Sequence, residues 1–211
     1  MFEIEYKGAN SVIISTKKAK LFVDPKLSLV GRKDLNVKGS VELASEARFA
    51  VNDPDAKLVI DGPGEYGVSG FDILGIPARR HLDSEAEGKT STIYRVKIEG
   101  TRIGIIGNIY EKLSDEQLEQ LGVLDILIIP VGGNGYTLDA TGAAGLVRAI
   151  SPKVVIPVHY ADDSLKYEVP QGELKTFISE LGAPVETVAK YKFKQLPAAM
   201  TPLSVVEITI S

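Results

Sequence analysis

The sequence predicts an α+β protein built as a four-layer α/β/β/α sandwich, with a single domain over residues 1–211. Three observations carry that reading. The first third of the chain is a series of short strand-like runs parted by turn signals. A second β-rich stretch follows, with a clear hairpin in its middle. Residues 125–160 then read as strand, glycine loop, helix and strand, a βαβ unit whose two strands are parallel neighbours.

Taken in order, FEIEY, SVIIS and KLFVD are short strands separated by KGAN and TKK. Asp24-Pro25 ends the third, because proline has no N–H to give a ladder. Residues 27–39 carry no period and read as a loop. Further strands are expected at 47–51, 57–61, 66–68 and 71–75, with Asp61-Gly62-Pro63-Gly64 as a tight turn. A polar loop over 82–90 follows His81. TIYRVKI alternates, with Ile93, Arg95 and Lys97 on one face and Tyr94, Val96 and Ile98 on the other. It forms a hairpin with TRIGIIG across Glu99-Gly100. Ser114 and Gln117 make a capping box for a helix ending near Leu121. DILIIP and VVIPV are continuous apolar runs, as strands buried on both faces require. Asp139 caps the helix between them. Residues 171–181 form a helix closed by Gly182, and KYKFKQ and SVVEITI are the last strands.

Composition excludes several function classes. With 44% apolar and 25% charged residues and a net charge of −4, the chain is globular and has no basic patch for nucleic acid. No apolar run approaches the roughly 18 residues of a membrane span, and no secretory h-region opens the sequence. No cysteine is present, so thiolate metal sites, disulfides and cysteine nucleophiles are out. A cytoplasmic location is the expectation. In an open α/β layer, sites gather at the carboxyl ends of the strands, which here are Val131-Gly132-Gly133 and His159.

The ordered string Asp24-Pro25, Gly62-Pro63-Gly64-Glu65-Tyr66, Gly75-Ile76-Pro77, Ile129-Pro130-Val131-Gly132-Gly133, Tyr136-Thr137-Leu138-Asp139-Ala140 and Val155-Ile156-Pro157-Val158-His159-Tyr160 resembles the metallo-β-lactamase superfamily. More narrowly, it is similar to the UlaG-like branch of zinc-dependent hydrolases. The likeness runs over nearly the whole chain. It implies an αββα sandwich with a dinuclear metal site at the shared edge of the two sheets.

The resemblance also implies a ligand set that this chain departs from. A His-x-His-x-Asp-His motif should follow an early strand, but no histidine precedes His81 and the chain has two in all. The best register is Val51-Asn52-Asp53-Pro54-Asp55-Ala56, in which Asp55 alone keeps its type. A rival register near 42–47 also gives no histidine. Ala9 follows Gly8 where the branch has an early histidine. His81 falls one place late for the middle-strand histidine, and Arg80 occupies that register. Asn108 stands for the bridging aspartate, and being neutral it cannot bridge two cations as a carboxylate does. His159 is retained.

A pair of metal ions needs about six anionic or imidazole ligands, and the candidates here are Asp53, Asp55, His81 and His159, with Asn108, Gly132 and Gly133 at the site edge. Each also has a structural reading: turn chemistry for Asp53 and Asp55, a solvated loop for His81, an inward hydrogen-bonded ring for His159, and turns for Asn108 and the glycines. The expectation is a catalytically silent homologue without a cofactor that binds a small molecule or a protein, with homo-oligomers open. The alternative is a metal-dependent hydrolase of lactones or phosphodiesters, with one zinc or manganese ion on the reduced ligand set.

Overall fold

The computed structural model describes residues 1–84, 88–193 and 202–211. Two mixed sheets face each other. The first orders its strands β13-β1-β2-β3-β4-β5, where β1 is Phe2–Gly8, β2 Ser11–Thr16, β3 Lys20–Val23, β4 Val41–Leu43, β5 Leu58–Ile60 and β13 Tyr191–Phe193. The second runs β12-β14-β11-β10-β9-β8-β7-β6, from β6 Gly64–Val68, β7 Phe71–Ser84, β8 Gly88–Ile98, β9 Thr101–Ile105, β10 Ile126–Pro130, β11 Val154–Val158, β12 Val185–Val188 and β14 Ser204–Ile208.

One apolar cluster fills the space between the sheets. Ile4, Ile14, Leu21 and Leu43 enter it from the first sheet, and Tyr94, Val96, Ile103 and Ile128 from the second. The βαβ unit is as the apolar runs predict: β10 and β11 pair in parallel, Ile126 to Val154 through Pro130 to Val158. Between them lies α2 (Ala140–Ile150), and the carboxylate of Asp139 accepts the N–H of Gly142 at its start. The helix α1 (Asp115–Leu121) carries the full capping box of Ser114 and Gln117. The third helix, α3 (Leu174–Leu181), packs beside α2 and ends on Gly182.

The sandwich stands, with one layer built differently. On the outer face of the first sheet, Ile13 and Phe22 are covered by Val37, Leu35, Val51 and Ala56 from connecting segments, where a helix was expected. Two 3₁₀ turns, Leu27–Val30 and Ala47–Phe49, are the helical elements in those segments.

Several expected boundaries are corrected. Residues 47–51 are not a strand, because the buried carboxylate of Glu42 accepts the N–H groups of Val51 and Asn52 that a ladder would have used. The strand there is β4, three residues long and interrupted by a glutamate, which hides its pattern. Strand β7 runs well past residue 75 and takes in Arg79, Arg80 and His81. Part of the loop expected over 82–90 therefore belongs to the β7–β8 hairpin, and residues 85–87 lie outside the described residues. The helix α3 starts at Leu174 rather than 171, since the Gln171 side chain is spent on Val169 and His159. The exposed edge strand β12 has no sequence signature.

Candidate functional site

The carboxyl ends of β3, β4, β9, β10 and β11 bring their following residues to one edge of the sandwich. Asp24 follows β3, and Ser45 and Glu46 follow β4. Asn108 follows β9, and His159 follows β11. Direct contacts tie these loops together. Asn10 donates from Nδ2 to Oδ1 of Asn108 at 2.9 Å. The N–H of His159 is shared by the carbonyl of Ala9 and the hydroxyl of Tyr6. The N–H of Thr92 donates to the carbonyl of Ser45. Glycine is required where two of these loops touch. A Cβ on Gly107 would lie 2.6 Å from Cβ of Ser45, and one on Gly132 would lie 2.2 Å from the carbonyl oxygen of His159.

A network of charged groups occupies the middle of this edge. Glu46 Oε2 lies 3.0 Å from Nε of Arg80 and accepts from Nε of Arg48 at 3.0 Å. Arg80 is 1% exposed and Glu46 6%, so the Arg80 charge is compensated inside the protein. Arg48 also donates from Nη2 to the Tyr136 hydroxyl at 2.7 Å, and its guanidinium lies over the rings of Phe49 and Tyr136. Nearby, Asp24 accepts the N–H and the hydroxyl of Ser45, both at 2.7 Å. Burial outweighs those two donors and pushes the Asp24 carboxyl up to about 7.

His159 lies at the head of a cleft beside this network, its ring between Tyr136 (centroids 5.6 Å apart) and Tyr167 (4.9 Å). Its Nδ1 is 3.2 Å from Oε1 of Gln171, and burial pushes the imidazole down to about 4, so it is neutral at pH 7.

Of the residues singled out from sequence, His159 and Asn108 sit at this edge. His81 reaches its margin, where its N–H donates to the Asn108 carbonyl; its buried Nδ1 has no hydrogen-bond partner among the described residues. Gly132 packs the loop after β10 against His159, and Gly133 takes φ +67 to turn it. Asp53 and Asp55 are elsewhere. They precede β5 and so lie at the amino end of a strand parallel to β4, at the far edge of the sheet. Asp53 Oδ1 accepts the N–H of Asp55, and Asp55 pairs with Lys38 at 2.8 Å in solvent. The four expected ligands are therefore not assembled, and among the described residues no three His, Asp or Glu side chains form a group able to hold a metal ion.

The register explains the misplacement. A six-residue motif begun one residue beyond the end of β4 falls on Ser45, Glu46, Ala47, Arg48, Phe49 and Ala50, which overlaps the rival register near 42–47 but coincides with neither register read from the sequence. Sequence reasoning missed Arg48, Glu46, Asn10, Tyr136 and Gln171 as site residues. Arg80 gave the one readable signal, a cation in a ligand register.

The chain belongs to the β-lactamase superfamily, whose domain model matches residues 3–159. Among curated proteins it is similar to UPF0173 metal-dependent hydrolases. It is 29% identical over 114 residues to that of Thermococcus onnurineus, covering 52% of this chain and 49% of the relative. Against that of Pyrococcus abyssi it is 33% identical over 104 residues, covering 47% and 44%. The chain thus spans about half the length of the curated relatives it matches. A metallo-β-lactamase superfamily protein from Thermotoga maritima has the same fold, with a TM-score of 0.77 at 22% identity over 99% of this chain and 100% of that one. So does the metallo hydrolase Igni18 of Ignicoccus hospitalis, with a TM-score of 0.64 at 18% identity over 86% and 90%. These likenesses carry the superfamily and the fold; they do not reach the finer UlaG-like branch.

Proposed function

We propose that this chain is a metallo-β-lactamase-fold protein that has given up hydrolysis and uses the His159 cleft to bind a small molecule. One observation carries the reading: the guanidinium of Arg80, in the register of the middle-strand histidine, is buried against Glu46, which Arg48 also holds. A guanidinium has no lone pair for a metal, stays charged, and repels a second cation. The positions after β4 that would supply ligands are Ser45, Ala47, Phe49 and Ala50, of which only serine has a side-chain donor atom. The Ser45 hydroxyl is already committed to Asp24. The residues present do not fit a dinuclear zinc centre, and no step is assigned to one.

The names of the relatives support the opposite outcome, a metal-dependent hydrolase, so metal and activity are measured together. The expected result is metal far below one ion per chain in purified protein, no gain in stability on adding zinc or manganese, and no turnover of lactones or phosphodiesters. One tightly held ion per chain, with turnover abolished by His159→Ala, would overturn the proposal.

A further inference from the structure

The polar atoms left open at the head of the His159 cleft select a ligand, and this selection rests on the reading of the cleft as a binding site. Gln171 donates from Nε2 to the carbonyl of Val169 at 2.9 Å, which fixes its amide and turns Oε1 toward His159. An amide oxygen only accepts, so the imidazole proton sits on Nδ1 and the lone pair on Nε2. That Nε2 has no hydrogen-bond partner among the described residues, and its ring lines the cleft.

Asn10 supplies a second acceptor. It is 5% exposed and lines the same cleft; its Nδ2 is used on Asn108, and its Oδ1 is buried without a partner. Acceptors next to these two are already engaged. Both Asp24 oxygens hold Ser45, and the carbonyl of Ala9 holds the N–H of His159. Oδ1 of Asn10 is buried, so its desolvation stays uncompensated until a donor arrives, while Nε2 of His159 is open to a donor in the cleft.

Charge gives the second criterion. The charged side chains lining the cleft are Arg48 and Lys26 against Glu168 and Asp24, and Arg48 is also held by Glu46 behind the wall, so neither sign is in clear excess. The space open to the centres of water-sized molecules is about 40 Å³. One water needs roughly 10–15 Å³, so a small head group fits. The walls, Tyr136 and Tyr167 with Leu27 and Val30, are aromatic and aliphatic.

We infer that the cleft takes the hydroxyl or N–H head of a small, uncharged, partly apolar molecule, which donates to Nε2 of His159 and Oδ1 of Asn10. The experiment titrates ¹⁵N-labelled full-length protein with phenol, with anisole as the same ring lacking the donor, and with acetate and methylammonium as charged probes. Phenol is expected to move the His159 Nε2 resonance in a saturable way and to bind at least tenfold more tightly than anisole. Acetate and methylammonium are expected to leave that resonance unmoved, and His159→Phe is expected to erase the preference for phenol. A phenol-to-anisole ratio near one, tighter binding of either charged probe, or a ring proton found on Nε2 overturns the inference. The wild-type ratio decides alone if His159→Phe does not fold. Metal with turnover overturns the silent reading whatever the ratio, whereas a ratio near one in metal-free, inactive protein overturns only the ligand assignment.

Discussion

Arg80 and Glu46 form a buried ion pair, Nε to Oε2 at 3.0 Å, at the edge where the strand ends of both sheets meet. The pair joins β7 to the segment after β4, so it bridges the two halves of the sandwich. Because Arg48 is held by the same carboxylate oxygen, Glu46 answers two cations.

This asymmetry orders the consequences of breaking the pair. Glu46→Ala removes the carboxylate that buried Arg80 and Arg48 share and is expected to cost about 3–5 kcal/mol in urea unfolding. Arg80→Met leaves Glu46 still paired with Arg48 and fills the same volume, so its cost is expected to be smaller. The reverse order would show that Arg80 finds its compensation elsewhere.

Asp24 and His159 act on stability with opposite signs. The folded-state pKa of Asp24 is raised from 3.8 to about 7, so its contribution is full below pH 3.8 and is lost as pH rises to about 7. That of His159 is lowered from 6.5 to about 4, so its contribution is full above pH 6.5 and is lost as pH falls to about 4. Between those limits the two slopes oppose each other. Asn at position 24 keeps an acceptor and a donor for Ser45 and removes the ionisation. Asp24→Asn is therefore expected to be more stable than the parent above pH 7 and to lose stability more steeply on acidification below 6.5. Unfolding midpoints across pH 4–8 read both effects.

The close approach of Gly107 to Ser45 makes a matched pair of variants. Gly107→Ala places a methyl 2.6 Å from Cβ of Ser45 and 2.8 Å from its hydroxyl, an overpacking expected to cost about 1–3 kcal/mol. Combining it with Ser45→Gly removes the clash, so thermal unfolding of the double variant should show less than the sum of the two single losses.

Away from the site, Ser114→Ala removes the side-chain acceptor for the N–H of Gln117 at the start of α1. The expected cost is about 1 kcal/mol, with the cleft chemistry unchanged.

The local signals were legible because they depend on neighbours in sequence. The apolar runs of β10 and β11, the Asp139 cap and the Ser114–Gln117 capping box each state their own structure within a few residues. Motif order was enough to place the chain in its superfamily, and counting histidines was enough to doubt the metal centre. Strand β4 was not legible, since three residues bearing a glutamate have no period, and the ligand register slid past it to Asp53 and Asp55. Which side chains meet at the strand ends is a long-range matter. Arg80, Glu46 and Arg48 come from separate parts of the chain and gain their meaning from shared burial. The His159 tautomer likewise hangs on Gln171 and Val169, twelve and ten residues away in sequence. Sequence by itself determined the elements, the family and the loss of histidines; the tertiary structure alone decided what replaced them, because the energy of a buried charge depends on the neighbours that folding supplies.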